Sequence, residues 1–389
     1  MDRVQFWIVN WTGTIKVYRF CSSNLYAETG EYSFRRPNLY ATIWDNTFES
    51  NMNSKKRIPY FDVAKGVLIC LVIISHIYLE TLTVAKIPNS TFAWMRSWQC
   101  IHVSFFMPAF FIITGLCSNF EKEFKPFFIS NVRTILIPAI VFDLLFFTIP
   151  SFFMGQAPLT IVMTGFVKRA LAFGSVFWFL PCLFLSKLIY WTLHKYTPNI
   201  ILWSILIALV ILGFVLHHFN LFPQKWWYVH QVFDLTIFLG VGQFLKTNST
   251  DPKVFYHFGT ATFLIIIVFF LITKLQMPSI LYAYKIQEWW QLPVHFLVSI
   301  GGTGALLWIC QTINSNSFLE FFGRGTIVVY GVHQFFLKIL LRFIEPLVAN
   351  QGIIISIIMF FVIFFCTVGF CVLFIKAFNS KYLKPIIGK

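Results

Sequence analysis

Four ionisable side chains interrupt the apolar stretch of residues 61–84. Asp62, Lys65, His76 and Glu80 lie in a run that otherwise consists mostly of apolar residues. At about 100° per residue on an α-helix, all four fall within roughly 60° of one another. A charged group in hydrocarbon is energetically costly, so a polar stripe on a membrane-spanning helix indicates a site or a pathway. The sequence therefore points to chemistry carried out inside a membrane.

His76 is the member of this stripe best suited to acid–base chemistry. It follows Lys65 by 11 residues, which is about three helical turns and about 16 Å. The two side chains therefore point the same way, with Lys65 near one membrane edge and His76 near the middle. A neutral imidazole tolerates this depth and can accept a proton from a hydroxyl. The alternative is a histidine that packs between helices and bonds a carbonyl; the three co-facial charges favour function.

The composition is that of an α-helical membrane protein. Hydrophobic residues make up 58% and charged residues 12% of the 389-residue chain, with a mean hydropathy of +0.73. A soluble domain carries about twice that charged fraction. The net charge of +15 comes from Lys and Arg scattered over short loops, so we expect no nucleic-acid partner. The eight Cys show no spacing typical of metal ligands, and we expect neither a disulfide nor a metal site.

Apolar stretches long enough to cross a bilayer recur from residue 61 to the end of the chain. We place them at 61–84, 101–117, 134–154, 175–193, 200–217, 229–246, 254–273, 292–312, 325–345 and 352–377. About twice as many Lys and Arg fall on the inner side as on the outer side when both termini are cytoplasmic, which favours that orientation. The predicted fold is all-α, a polytopic membrane protein with about ten transmembrane helices. Pro138, Pro150 and Pro181 predict kinks in the third and fourth spans.

Residues 1–51 differ from the rest of the chain. They mix polar and aromatic residues without a helical or strand period, and they contain no apolar region of the signal-peptide type. A basic lead from Met52 to Arg57 follows directly before the first span. Two interpretations stand: translation begins at Met52, or residues 1–51 are a poorly structured cytoplasmic tail. Either way we divide the chain into a segment 1–51 and an integral-membrane domain 52–389.

Lys65 and His76 also carry a resemblance to a known family. Their spacing, with Arg57 and Asp62 ahead of them, is similar to the Arg/Lys-x10-His signature of the acyltransferase 3 family, whose members O-acylate cell-envelope carbohydrates. Further similar segments follow in the family's order: Phe105–Phe111 with Thr114–Gly115, Leu136–Pro138, Phe177–Leu180, Phe318–Gly323 and Tyr330–His333. The resemblance covers residues 57 to about 345 and is closest to the fucose 4-O-acetylase-like branch.

The resemblance implies transfer of an acyl group, with acetyl as the expected one, from acyl-CoA to a hydroxyl of an envelope polysaccharide or lipid-linked sugar. Acetyl-CoA would be a substrate with no bound cofactor, and the enzyme would be a multi-pass protein of the cytoplasmic membrane. His76 would deprotonate the acceptor or carry the acyl group transiently. Asp62 or Glu80 would set its tautomer or offset its charge, and His333 is a further catalytic candidate.

Four residues are candidates for substrate binding. Lys65, Arg133 and Arg324 would hold the anionic donor at the inner face, Arg133 because a guanidinium suits phosphate. Family members usually carry a pair of basic residues before the third span, whereas Arg133 alone lies close to that span here. Where the family often has His within an FHMP segment, this chain has Phe106. His102, one turn earlier, is the candidate substitute; an interfacial histidine without a role is the alternative.

A second class of function is compatible with the same polar stripe. Chains of Asp, His and Glu relay protons in pumps and transporters, so a polysaccharide exporter or proton-coupled transporter is the alternative to the enzyme. The two halves of the sequence show no visible mirror repeat, which weakens the transporter interpretation. Consumption of acetyl-CoA distinguishes the enzyme from an exporter.

Overall fold

The computed structural model describes most of the chain from residue 58 onward and two short strands near the N-terminus. The described residues are 5–9, 15–19, 58–83, 99, 101–150, 158–172, 177–219, 228–248, 252–273, 288–348 and 352–388. The chain divides into two units, Met1–Arg57 and Ile58–Lys389.

The first unit contains an antiparallel hairpin of two strands. β1 (Gln5–Val9) and β2 (Ile15–Arg19) pair in a register that places Gln5 opposite Arg19 and Val9 opposite Ile15. The remainder of residues 1–51 lies outside the described residues. The choice between a tail and a start at Met52 therefore stays open.

The second unit is helical throughout its described part. Its helices are α1 (Pro59–Thr83), α2 (Phe106–Cys117), α3, α4 (Leu159–Ala172), α5 (Phe179–Tyr196), α6 (Asn199–His218), α7 (Val229–Asn248), α8 (Pro252–Thr273), α9 (Gln291–Ile313), α10 (Ser317–Arg324), α11 (Thr326–Val348) and α12 (Ile353–Phe378). Helix α3 joins Phe124–Asn131 and Ile137–Asp143 to the π-helical stretches that follow them, Val132–Leu136 and Leu144–Thr148. A 3₁₀ turn, Lys384–Ile387, ends the described chain.

Each predicted span overlaps a helix of this unit. Six described helices, α1, α3, α6, α9, α11 and α12, are long and apolar enough to cross a membrane, and α2 and α8 are shorter apolar helices. The all-α character is confirmed for the described part of the second unit, whereas the number of spans and the side of the termini stay predictions. The sequence reasoning missed α4 and α10, because both are shorter than a span and carry polar residues.

The two prolines of the third predicted span each follow a π-helical stretch. Val132–Leu136 ends two residues before Pro138, and Leu144–Thr148 ends two residues before Pro150. A proline lacks the N–H and clashes with the carbonyl four residues earlier, and a local π-turn relieves that clash. The predicted irregularity of α3 therefore takes the form of π-turns. Pro181 lies in the first turn of α5, where a missing N–H costs nothing, so no kink is needed there.

Direct backbone contact fixes α1 against α10. A Cβ built on Gly66 would clash with the carbonyl group of Leu319, and one on Gly323 would clash with that of Asp62. Both positions therefore require glycine, as at other close helix crossings. Asn316 caps α10 by accepting a hydrogen bond from the backbone N–H of Leu319 (2.9 Å). This crossing sets the position of the charged start of α1.

Helix α1 is surrounded by other helices, which determines where its polar stripe can lie. It packs against α2, α9, α10, α11 and α12. Most of its side chains are buried, including the acidic members of the stripe, Asp62 and Glu80. The stripe therefore faces other helices of the bundle, and its partners come from those helices.

Candidate active site

His76 lies against α11, where it meets Gln334 and His333. The amide Nε2 of Gln334 donates a hydrogen bond to Nδ1 of His76 (2.8 Å). The rings of His76 and His333 have their centroids 5.0 Å apart. Gln334 and His333 are buried, whereas His76 is partly exposed. The structure thus brings together two catalytic candidates from distant parts of the sequence and adds an amide that orients one of them.

His333 is held in one tautomer. Its Nδ1 donates to the backbone carbonyl of Val329 (2.8 Å), because a carbonyl oxygen can only accept and the nitrogen must carry the hydrogen. The neutral ring then has a bare Nε2, to which no residue in the described part of the chain bonds. A buried acceptor nitrogen beside a second imidazole can take a proton from an incoming hydroxyl.

An ion pair continues the polar stripe beyond His76. Glu80, one turn after His76, has its Oε1 3.8 Å from Nζ of Lys338, one turn after Gln334. The sequence reasoning selected Glu80 but neither Gln334 nor Lys338 as a site residue. The available signal was spacing, since Gln334 and Lys338 are four residues apart on α11 as His76 and Glu80 are on α1. The two helices therefore present matching layers of polar side chains.

At the other end of the stripe, Asp62 and Lys65 pair with each other. Nζ of Lys65 is 3.5 Å from Oδ1 of Asp62. Asp62 precedes His76 by 14 residues, which is about 21 Å along the helix, so it cannot set the tautomer of His76. That part of the prediction is corrected: the hydrogen bond that orients His76 comes from Gln334, and Asp62 holds Lys65.

A cavity of about 160 Å³ extends along the same face of α1. Lys65, Ile69 and Val72 line it from α1, and Tyr330 lines it from α11. Positions 65, 69 and 72 continue at helical spacing to His76, so the cavity leads from the charged Lys65 toward the histidines. The ring centroid of Tyr330 is 6.1 Å from that of His333, the other imidazole of the pair.

Three of the five later segments that carry the family resemblance meet at this cavity. Their lining residues are Met107, Phe110, Thr114, Phe179, Leu180 and Tyr330. The backbone N–H of Phe179 donates to the hydroxyl of Tyr330 (3.3 Å) and so links α5 to α11. An apolar cavity of ~150 Å³ can hold a benzene-sized molecule, so this one has room for a short acyl group. Its apolar walls and single charged end fit an uncharged arm attached to an anionic group.

Arg133 and Arg324 are exposed and lie beside the lining of this cavity. Arg133 precedes the lining residue Ile135 by two positions, and Arg324 precedes the lining residue Thr326 by two. Nη1 of Arg324 donates to Oε2 of Glu320 (3.3 Å). Arg133 thus lies on a helix that lines the cavity, and Arg324 ends α10 just before the lining helix α11; the role of both cations in donor binding stays a prediction.

His102 lies outside the pair of histidines. Its Nε2 is 2.6 Å from Oγ of Ser75, and its ring packs against that of Phe106, with centroids 5.9 Å apart. Because Ser75 directly precedes His76, His102 lies at the same depth on a neighbouring face of α1. It is buried, unlike an interfacial side chain, and its role in substrate binding stays a prediction.

Comparison with known proteins points to one family. The model of the acyltransferase 3 family, described as an acyltransferase domain, matches residues 58–376, most of the chain. No curated protein and no solved structure matches the chain significantly. The matched range contains both histidines, the cavity between α1 and α11 and the segments that line it. The chain therefore belongs to the acyltransferase 3 family and is an acyltransferase.

Proposed function

We propose that the protein is a membrane-embedded O-acyltransferase that moves an acyl group, with acetyl as the expected one, from acyl-CoA to a hydroxyl of an envelope polysaccharide or lipid-linked sugar. The observation that carries the proposal is the course of the cavity. Its apolar walls extend from Lys65 to Val72, one turn before His76, and to Tyr330, whose ring centroid is 6.1 Å from that of His333. A thioester whose anionic part lies near Lys65 has its acyl carbon near the two imidazoles.

The two histidines divide the proton transfers of this reaction. The acceptor oxygen bonds to the thioester carbon as its proton passes to an imidazole; the carbon–sulfur bond breaks, and the leaving thiolate takes up a proton. His333 offers its bare Nε2 as the proton acceptor. The amide Nε2 of Gln334 lies 2.8 Å from Nδ1 and 3.3 Å from Nε2 of His76; when Nδ1 accepts from it, the ring carries its hydrogen on Nε2 and can donate to the oxygen that becomes negative. These hydrogen bonds support His333 as the base, where the sequence alone favoured His76.

Donor and acceptor approach the histidines from opposite sides in this proposal. Lys65, with Arg133 and Arg324 on neighbouring elements, lies on the donor side, which is cytoplasmic in the predicted orientation. Glu80 and Lys338 lie beyond the histidines, where a carboxylate and an ammonium group can hydrogen-bond the hydroxyls of a sugar. A cytoplasmic donor and an envelope acceptor are both within reach of an enzyme in the cytoplasmic membrane.

Acyl transfer by the purified protein in lipid nanodiscs tests the proposal. With acetyl-CoA and an envelope glycan, we expect release of the CoA thiol and a glycan whose mass rises by one acetyl group. His76→Ala and His333→Ala each remove a group that moves or positions a proton, so we expect losses of about 10²- to 10⁴-fold in rate. His257→Ala is the matched control, because His257 is exposed on α8 and should leave the rate unchanged.

Two results would contradict the proposal. Unchanged acylation by a folded His76→Ala variant would refute the mechanism. Translocation of glycan without consumption of acetyl-CoA would instead favour the exporter or proton-coupled transporter. Mass spectrometry of surface glycans from cells with and without the protein identifies both the acyl group that is transferred and the glycan that receives it.

A further inference from the structure

A second cavity, which is polar, lies at the loop between α2 and α3. Its volume is about 190 Å³, and seven of its nine lining residues are Ser, Thr, Asn or Lys. Two lysines line it, Lys122 from the loop and Lys187 from α5. Ser130, Asn131 and Thr134 of α3 complete one wall with hydroxyl and amide groups. The cavity is thus a basic, hydrogen-bonding chamber, in contrast to the apolar cavity beside Lys65.

Neither lysine of this cavity is neutralised by a carboxylate in the part of the chain that the structure describes. Lys122 and Lys187 form no ion pair with a described residue. Glu121, which directly precedes Lys122, is bonded instead to Nε2 of His194 (2.8 Å). An ammonium group withdrawn from water without a counter-charge is costly. The cavity therefore presents two cations to an anion.

Lys187 gives this cavity its most informative feature. It lies inside the predicted span 175–193, where an ionisable side chain marks function by default, yet the sequence reasoning did not select it. Its side chain is partly buried, and its Nζ lies 5.7 Å from the ring centroid of Phe127. A cation–π contact of this kind is a weak partner, which leaves the ammonium hydrogens available to a ligand.

The polar and apolar cavities follow one another along the same three helices. Residues that line one cavity are four positions from residues that line the other: Leu183 and Lys187 on α5, Thr114 and Ser118 at the end of α2, and Ile135 and Asn131 on α3. Residues four apart lie above one another on a helix face. The two chambers are therefore stacked end to end, with the polar one toward the α2–α3 loop.

We infer that the polar cavity binds the phosphate or diphosphate group of an elongated ligand whose uncharged arm occupies the apolar cavity. This inference rests on the proposed acyl-CoA donor, in which an uncharged pantetheine arm joins the diphosphate to the thioester. Lys122 and Lys187 neutralise the phosphate charge, and the hydroxyl of Ser130 donates to a phosphate oxygen. The arm then extends toward His76.

Equilibrium binding to an inactive variant tests the inference without turnover. In a His76→Ala background, Lys187→Met and Lys122→Met should each weaken CoA binding by about 10- to 100-fold, the value of a charge-assisted hydrogen bond. Binding of pantetheine, which has the same arm and no phosphate, should not change. Lys187→Arg retains the charge and should retain most of the affinity. Lys195→Met is the matched control, since Lys195 is exposed on the same helix outside the cavity.

The outcomes separate the inference from the proposed function. Equal effects of Lys122→Met on CoA and pantetheine, or no effect on either, overturn the inference even if the wild type acylates glycans. Phosphate-dependent CoA binding that is lost in Lys187→Met supports it even if no acceptor is acylated. A lipid headgroup is the other source of phosphate. Stabilisation by phosphatidylglycerol that depends on Lys187, without selective loss of CoA binding, would assign the cavity to lipid and overturn the donor assignment.

Discussion

Replacing Gln334 by Leu isolates the orientation of His76 from its chemistry. The substitution removes the donor of the 2.8 Å hydrogen bond to Nδ1 of His76 and keeps a side chain of similar size. Oε1 of Gln334 bonds to no described residue, so the nitrogen of His76 is the main group left unpaired. Because His76 is partly exposed, we take the net value of a neutral hydrogen bond, about 0.5–1.5 kcal/mol; its loss from the transition state corresponds to about a 2- to 13-fold fall in kcat.

Steady-state acylation kinetics in nanodiscs measure this effect. We expect kcat to fall while the KM for acetyl-CoA stays nearly constant, because Gln334 does not line the apolar cavity. Gln243→Leu is the control: Gln243 is also buried, with an Oε1 that bonds to no described residue, but it lies on α7. A Gln334→Leu enzyme with wild-type kcat, or one whose defect lies only in the KM for acetyl-CoA, would refute this reasoning.

Two further predictions concern the framework around the site. Gly323→Ala forces α10 away from the backbone of α1 and should lower the free energy of unfolding by about 1–3 kcal/mol. Gly369→Ala is the control, because a Cβ at this exposed position inside α12 meets no neighbouring atom and thermal unfolding in detergent should show no loss of stability. Reversing the charge of either Glu80 or Lys338 alone should lower the free energy of unfolding, and exchanging both charges should recover part of that loss. A double-mutant cycle should give a coupling energy of about 0.5–3 kcal/mol. Additive losses would show that the 3.8 Å contact contributes nothing.

The sequence predicted the helical positions well because that prediction needs only local information. The apolar stretches gave the helices, and the helical period placed Lys65 and His76 on one face before any partner was known. Asp62, one of the two carboxylates predicted as a partner of His76, lies too far from it because co-facial residues were taken together without regard to their separation along the helix axis. An angle on a helical wheel does not give an axial distance.

The partners of the stripe depended on tertiary contacts that no local pattern contains. Gln334 and Lys338 contact α1 only because α11 packs beside it. Placing the polar residues of α11 on a helical wheel, as was done for α1, would have shown that these two share a face. Lys187 could have been found earlier, since a lysine within a predicted span is itself a signal. Its meaning still required α2, α3 and α5 to converge.

The π-turn Val132–Leu136 sets the rotation of the N-terminal part of α3 relative to the rest of that helix. Its Ile135 faces the apolar cavity, while Asn131 and Thr134 face the polar one. If the same residues were wound as an ordinary α-helix, the N-terminal part of α3 would be rotated by about 100° relative to the rest, because the π-turn accommodates one extra residue without rotating the flanking segments. Asn131 would then leave its chamber although no contact at Ile135 had changed. A single extra residue in the backbone thus keeps two compartments of opposite polarity in alignment.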